Sequence, residues 1–312
     1  MKPILSVRDL ARRLHTSVER LRETAAEIDR GMQSHYTFWS EQNEKTGKIR
    51  HYRVPKPELK GIQRNIKNAV LGPLELSDSA HGGVRGRSTH TNASQHLGQP
   101  WVVTTDVRSF FPNVKHYIVY RMFRHEFGFG KEVASLLARL TTLHAELPQG
   151  APTSTIIANL LMAKAVDAPV SQRARELGAA NTRFVDDFCF SGNDPRSLIN
   201  DTARALSRKR LPIWRKTTKF QAKPKLKIMP RSRRQEVTGL VVNSASGPSV
   251  PREYRDAVRA AIHQAAALPE GPQRRSAENS IRGRIVYVEM YNPGAAKRLR
   301  RAQQTARILG QG

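Results

Sequence analysis

The stretch TRFVDDFCFSG, residues 182–192, decides how this chain is read. Apolar residues flank two adjacent acids, and the pattern predicts a β-hairpin with Asp186 and Asp187 at its bend. Side chains alternate across a strand, so neighbouring acids on a flat strand face opposite ways. At a tight hairpin one can face a cleft while the other turns toward the bend. Taken alone, an Asp-Asp pair in a hairpin reads as a solvated turn. Its neighbours along the chain change that reading.

Upstream, WVVTTD at 101–106 alternates and is β-branched, which predicts a strand closed by the carboxylate of Asp106. Three acids in apolar surroundings are costly unless something neutralises them. Arg or Lys partners are one answer in a basic chain, and divalent metal is the other. A hard ion such as Mg2+ takes carboxylates together with substrate phosphate oxygens. Two such ions about 3.5–4 Å apart can activate a 2′- or 3′-hydroxyl and stabilise a leaving pyrophosphate.

The 312 residues carry 53 Lys and Arg against 26 Asp and Glu, a formal charge of +27. Such an excess repels itself in a compact state and points to a polyanionic partner, nucleic acid first and an anionic membrane surface second. Hydrophobic residues at 38% supply a real core and exclude wholesale disorder. Cys189 is the single cysteine, which excludes an intrachain disulfide and a thiolate zinc site and fits a reducing compartment. No run approaches the apolar length of a membrane span, and the opening MKPILSVRDLARRL lacks the apolar core of a signal peptide. A soluble, cytoplasmic, nucleic-acid-facing protein is expected.

The rest of the chain predicts an α+β organisation with a helical C-terminal third and no internal repeat. Residues 4–31 read as a pair of helices capped by Ser6 and by Thr16 or Ser17. Gly47 fits a hairpin turn between two short strands, and a helix follows from Pro57. HGGVRGRSTHTNASQHLG at 81–98 is Gly-rich and basic, then helical from about Thr91. SFFPN at 109–113 is a turn, with helices near 115–127 and 131–143. LPQGAPTS at 147–154 is a breaker-rich loop leading into a long helix from Thr153 to Glu176. A basic helix at 195–210 precedes a strand at 237–243, and helices fill the tail from 251.

In this order and spacing the motifs resemble the reverse transcriptases. FVDD at 184–187 is similar to their [FY]-x-D-D signature, TTDVRSFFPNV at 104–114 to their first palm motif, and LPQGAPTS to their nucleotide-positioning loop. NASQH at 92–96 matches NAxxH, and Val237-Thr238-Gly239 matches VTG, which together mark the bacterial retron type. One departure is Phe184-Val185, where retron enzymes usually carry Tyr-Ala.

The resemblance implies a right-hand polymerase fold: an N-terminal helical module at 1–35, fingers at 36–100, a palm with an antiparallel sheet at 101–245 that includes fingers helices at about 115–145, and a helical thumb at 246–312. It implies two Mg2+ ions, with Mn2+ an alternative, held by Asp106, Asp186, Asp187 and the carbonyl of Val107. Phe111, five residues after Asp106, would exclude a 2′-hydroxyl. Gln149 and Gly150 would sit by the incoming nucleotide, and Arg50 and Arg53, with Lys56, on the fingers strand would hold its triphosphate. Lys225 is assigned near the triphosphate, with Lys223 an equal geometric candidate.

Between Thr202 and Gln235 lie 13 Lys and Arg and no acid, a one-sign run that favours phosphate contact. Arg215, Lys216, Lys219 and Lys223 belong to it. Arg85 and Arg87 are expected to meet template or triphosphate backbone, and Asn92 and His96 to share a helix face in a structural or RNA-contact role. Arg282 and Arg284, with Arg274, Arg275, Lys297, Arg298, Arg300 and Arg301, would let a thumb grip A-form duplex.

The retron resemblance further implies a cognate structured noncoding RNA as template, deoxynucleoside triphosphates, and priming from a guanosine 2′-hydroxyl. The product would be branched multicopy single-stranded DNA. It also implies antiphage defence and a separate effector protein. Two rivals stand beside this reading. One is another bacterial reverse transcriptase, of group II intron or defence type. The other is a catalytically silent RNA-binding protein on a polymerase scaffold.

Overall fold

The computed structural model describes residues 2–31, 35–42, 47, 49–208, 211 and 226–309. Two short helices open the chain, α1 (Val7–Arg13) and α2 (Val18–Asp29). Ser6 and Ser17 cap them, their hydroxyl oxygens accepting the amides of Asp9 at 3.1 Å and Arg20 at 3.0 Å. Each cap satisfies an amide with no partner inside its helix and contributes about 1 kcal/mol.

The antiparallel hairpin β1 (Tyr36–Gln42) and β2 (Ile49–Pro55) comes next. Pro57 starts α3 (Pro57–Asn65), which continues into a wider turn at Ile66–Leu71. Then follow α4 (Thr89–Ser94), β3 (Trp101–Asp106), α5 (Phe110–Asn113), α6 (His116–Arg121) and α7 (Lys131–Thr141). The expected turn at 109–113 is therefore closed by a single helical turn. The helix expected from Thr91 begins earlier and stops at Ser94, so His96 lies beyond it.

The expected helix from Thr153 to Glu176 is α8 (Ser154–Met162) and α9 (Ala168–Glu176) joined by a wider turn at Ala163–Asp167. Pro169 explains the change of pitch. It has no N–H to offer the preceding turn, and the wide turn absorbs the missing bond. The chain continues through β4 (Ala180–Phe184), β5 (Asp187–Gly192), α10 (Ser197–Arg208), β6 (Lys227–Pro230), β7 (Glu236–Val237) and β8 (Leu240–Val241). It ends in α11 (Arg252–Ala266), α12 (Pro272–Glu289) and α13 (Pro293–Leu309).

The chain divides into two compact units, Met1–Ser88 with Val103–Ile228 and Thr89–Val102 with Met229–Gly312. A four-stranded sheet has the order β4–β5–β3–β6, which makes β5 and β3 its inner strands. In the first unit the core gathers Phe110, Phe123, Leu137, Leu160, Phe188 and Phe190, all 3% exposed or less. β5 is buried along most of its length, so its apolar run Phe188-Cys189-Phe190 reads as continuous rather than alternating.

In the second unit α11, α12 and α13 pack on one another around Ile262, Ile281, Ile285, Val288 and Leu299. The expected strand at 237–243 is instead a miniature hairpin in which Val237 pairs with Leu240. Thr238 (φ +47°) and Gly239 (φ +83°) make its two-residue turn. Positive φ at both central positions suits strand twist and is easiest for glycine, which is why a strand cannot run through Gly239. Among the described residues no helix is long and apolar enough to cross a membrane.

Candidate active site

The sequence Phe184-Val185-Asp186-Asp187 closes the β4–β5 hairpin. Phe184 pairs directly with Asp187, leaving Val185 and Asp186 as a two-residue loop. Val185 has φ +60°, a conformation that costs a β-branched residue on the order of 1–3 kcal/mol. Surrounding residues hold it there. Backbone from Ser79 to His81 runs beside β4: Arg183 N–H donates to the Ser79 carbonyl and His81 N–H to the Arg183 carbonyl, both at 2.7 Å. Gly82 then passes so close that a Cβ on it would lie 2.6 Å from the amide nitrogen of Val185.

The Arg183 side chain is fully buried. Its Nε and Nη2 donate to the two carboxylate oxygens of Asp167 at 2.8 and 2.6 Å, and Nη1 donates to Asn159 Oδ1 at 2.9 Å and to the Val185 carbonyl at 2.6 Å. Asn159 Nδ2 in turn donates to the Gly82 carbonyl at 2.9 Å. Sequence reasoning missed Arg183, Asp167 and Asn159. One basic residue on a strand of a very basic chain carries no mark of its burial.

Asp106 ends β3 and is 6% exposed. The amide of Val107 donates to the Asp186 carbonyl at 3.0 Å, which joins the end of β3 to the hairpin loop. Asp187 opens β5 and is exposed. Beneath it the buried Cys189 thiol is pushed well above its usual range, by burial first and by the charge of Asp187 second.

The backbone therefore brings Asp106, Val107, Asp186 and Asp187 together. Their donors are all oxygens, which fits a hard divalent cation. Among the described residues no three His, Cys, Asp or Glu side chains converge closely enough to enclose an ion. Gathering like charges costs free energy until a cation lies between them. The main-chain contact, rather than the rotamers, carries the geometry.

A second cluster lies in the same unit. A cavity of about 340 Å³ is lined by Arg50, Arg53, Ser109, Pro112, Glu146 and Gln149, with neighbours on β2. That is the lower end of the range for small-molecule sites. The Arg53 amide donates to the Gln149 carbonyl at 2.8 Å, tying the 147–154 loop to β2. Gly150 has φ +110° and backs onto β2, where a Cβ would lie 3.1 Å from Val54 Cγ2. Glu146, which sequence reasoning also missed, pairs with Arg53 at 3.3 Å and Lys115 at 2.8 Å. Phe110 is buried, while its neighbour Phe111 is half-buried.

The family model for reverse transcriptase (RNA-dependent DNA polymerase) matches residues 41–229. The chain is also 32% identical over 315 residues to the retron Mx65 reverse transcriptase of Myxococcus xanthus, covering 95% of this chain and 70% of that protein. This chain belongs to the retron-type reverse transcriptases. It is an RNA-directed DNA polymerase, and membership carries the right-hand polymerase fold and a family-wide use of divalent metal ions. Two further relatives are the retron Mx162 reverse transcriptase of M. xanthus and the retron Ec86 reverse transcriptase of Escherichia coli. The first is 34% identical over 94% of this chain and 65% of that protein, the second 29% over 84% and 78%.

The remaining residues expected at the site of this reverse transcriptase fall into four sets. Arg85 is exposed, but Arg87 turns inward, its Nη1 donating to the carbonyls of Ser77, Asp78 and Ala80. It braces the segment that leads to Gly82. In the second unit Asn92 and His96 are both buried, at 1% and 0% exposure. Asn92 Nδ2 lies 3.5 Å from Thr238 Oγ1, which also approaches the Thr89 carbonyl at 3.4 Å. The two retron motifs thus meet each other. Arg282 is exposed, and Arg284 lies over the ring of Tyr254 at 5.4 Å. Arg215, Lys216, Lys219, Lys223 and Lys225 lie outside the described residues.

Proposed function

We propose that this reverse transcriptase copies a cognate structured noncoding RNA, primed from a guanosine 2′-hydroxyl, into branched multicopy single-stranded DNA. The single observation that carries the reading is the Val107–Asp186 contact, because it joins the two acidic motifs that the chemistry needs side by side. Its retron-named relatives support the RNA template and the DNA product.

Residues 1–35 form a helical module, 36–100 the fingers, 101–245 the palm and 246–312 the thumb in this reading. Asp106 and Asp187 would hold two Mg2+ ions, with Asp186 beside them and the Val107 carbonyl as a further oxygen donor. When bound, the ions would activate the attacking hydroxyl and stabilise the leaving pyrophosphate. Phe111 rejects a 2′-hydroxyl by shape, selecting deoxynucleoside triphosphates. Gln149 and Gly150 back the nucleotide, while Arg50, Arg53 and Lys225 neutralise its triphosphate, Lys225 by family pattern alone.

Exposed Arg282 and Arg85, with Arg284 and the basic run from Arg215 to Lys223, meet phosphates. Buried Asn92 and His96 act indirectly, by shaping the VTG turn. Arg87 contributes through the loop it braces. The wider setting is cytoplasmic antiphage defence with a separate effector protein.

The test is recovery and sequencing of nucleic acid from cells expressing the chain beside its RNA. A 2′–5′ branched RNA–DNA product is expected, and it should vanish with Asp186→Asn plus Asp187→Asn. Branched product persisting in that variant would overturn the catalytic assignment. An unbranched product would point to another reverse transcriptase class.

A further inference from the structure

We propose that Arg183 is a positioning residue for catalysis, holding the acidic turn in place through a buried link from Asp167 to the Val185 carbonyl. This rests on the reading of Asp186 and Asp187 as the catalytic hairpin. Arg183 and Asp167 are 0% and 1% exposed. A buried ion pair is a poor source of stability, since well-packed apolar residues of the same volume do as well or better. The pair therefore calls for a reason other than holding the fold together.

The geometry supplies one. A guanidinium is a rigid fork. Once Nε and Nη2 are locked on the Asp167 oxygens, the direction of Nη1 is fixed. It points at the Val185 carbonyl at 2.6 Å. The next carbonyl, that of Asp186, accepts from the Val107 amide at 3.0 Å. Both carbonyls of the two-residue loop are thus gripped, that of Val185 by Arg183 within the hairpin and that of Asp186 by Val107, the residue that follows β3.

The loop needs such a grip, because Val185 at φ +60° would otherwise relax. Fixing the two peptide planes fixes where the Cα–Cβ bond of Asp186 points, and pairing with Phe184 holds Asp187 at the start of β5. Asp167 stands at the end of the wide turn between α8 and α9, so that change of helical pitch sets the anchor for the whole linkage. Lysine would keep the charge opposite Asp167 but, as a single point of donors, would not hold both partners in register.

The test uses the full chain on a poly(rA) template annealed to oligo(dT), with dTTP, each variant assayed well below its own melting temperature. The variants are Arg183→Lys, the apolar pair Arg183→Met with Asp167→Leu, and Asp187→Asn. Both Arg183 variants are expected to unfold cooperatively and to lose about tenfold or more in kcat, as a small misplacement of reacting groups does. KM for dTTP should stay within about twofold, and the Mg2+ concentration for half-maximal rate should rise about threefold or more.

A folded apolar pair with unchanged kcat and Mg2+ response would overturn the proposal, leaving the pair a stability element. If the apolar pair does not fold, Arg183→Lys decides on the same two readouts. Failure of both to fold would also overturn it, by making the pair a requirement of folding rather than of turn geometry. Asp187→Asn separates the underlying reading: if it still synthesises DNA, the hairpin is not the catalytic centre. If it is dead while the Arg183 variants are unchanged, only the positioning role falls.

Discussion

The amide of Val107 donates to the carbonyl of Asp186 across 3.0 Å, so residues 79 positions apart in the chain share one hydrogen bond at the acidic turn. The contact is made by backbone and survives substitution of either neighbouring side chain. Asp187→Asn should therefore leave the fold intact, since Asp187 is exposed. DNA synthesis should fall roughly a thousandfold, equivalent to about 4 kcal/mol of transition-state stabilisation. Primer extension alongside thermal unfolding checks both halves, and near-normal synthesis would remove Asp187 from the chemistry.

Gly82 lies where the hairpin backbone leaves no room for a side chain. Its virtual Cβ meets Val185 N at 2.6 Å and the Phe184 carbonyl carbon at 2.9 Å, and backbone cannot swing aside as a side-chain tip can. Gly82→Ala should cost about 1–3 kcal/mol of stability, the usual penalty of overpacking. Activity measured at a temperature where the variant is fully folded should fall as well. Wild-type melting and wild-type rate together would show that the segment is free to retreat.

Glu146 lines the Arg50–Gln149 cavity and pairs with both Arg53 and Lys115. If Arg53 holds the triphosphate as proposed, an incoming nucleotide would compete with that carboxylate. Glu146→Gln should lower KM for deoxynucleoside triphosphates by about two- to fivefold with kcat unchanged, the size expected of a part-exposed ion pair. A raised KM would instead mean that Glu146 orients Arg53 for its ligand.

Phe111 is half-buried against buried Phe110, with ring centroids 5.7 Å apart. Phe111→Ala should open space beside the sugar and admit ribonucleotides. The ratio of kcat/KM for dTTP over UTP should drop by about tenfold or more. An unchanged ratio would assign Phe111 to the core along with Phe110.

Two histidines, His81 buried and His116 partly buried, predict acid sensitivity. His81 is pushed below its ordinary 6.5 by burial and then by the Arg87 charge; burial also lowers His116, where Asp29 raises it and Arg139 lowers it. Both fold most readily uncharged. The unfolded chain takes up protons first as pH falls below about 6.5, so stability is complete above that value and declines as pH drops toward the lowered folded values. Melting temperature should fall over that window, and His81→Gln should make the decline shallower. A melting temperature flat with pH would contradict the burial of these rings.

Much of the architecture was legible from local pattern. The hairpin at 182–192, the strand ending in Asp106 and the capping serines all rest on alternation, branching or cap chemistry that acts over a few residues. What escaped depends on distance. Arg183 looks like any other base until Asp167 is seen to lie against it, and Glu146 looks like a loop acid until Arg53 and Lys115 meet it. The β-branched residues around VTG favour strand by local propensity. The positive φ of Thr238 and Gly239 overrides that local preference. Arg87 in a Gly-rich basic loop has the local marks of a phosphate ligand, and the three carbonyls it holds come from the folded loop.

The NAxxH and VTG motifs touch through Asn92 and Thr238, and the short segment Thr89–Val102 belongs to the same compact unit as Met229–Gly312. Chimeras between related enzymes must respect this. Transplanting the C-terminal third alone would pair a foreign turn with the recipient's own asparagine, whereas a graft that also carries residues 89–102 moves both halves of the contact. Moving this unit intact between such enzymes thus calls for two simultaneous cut-and-paste events rather than one.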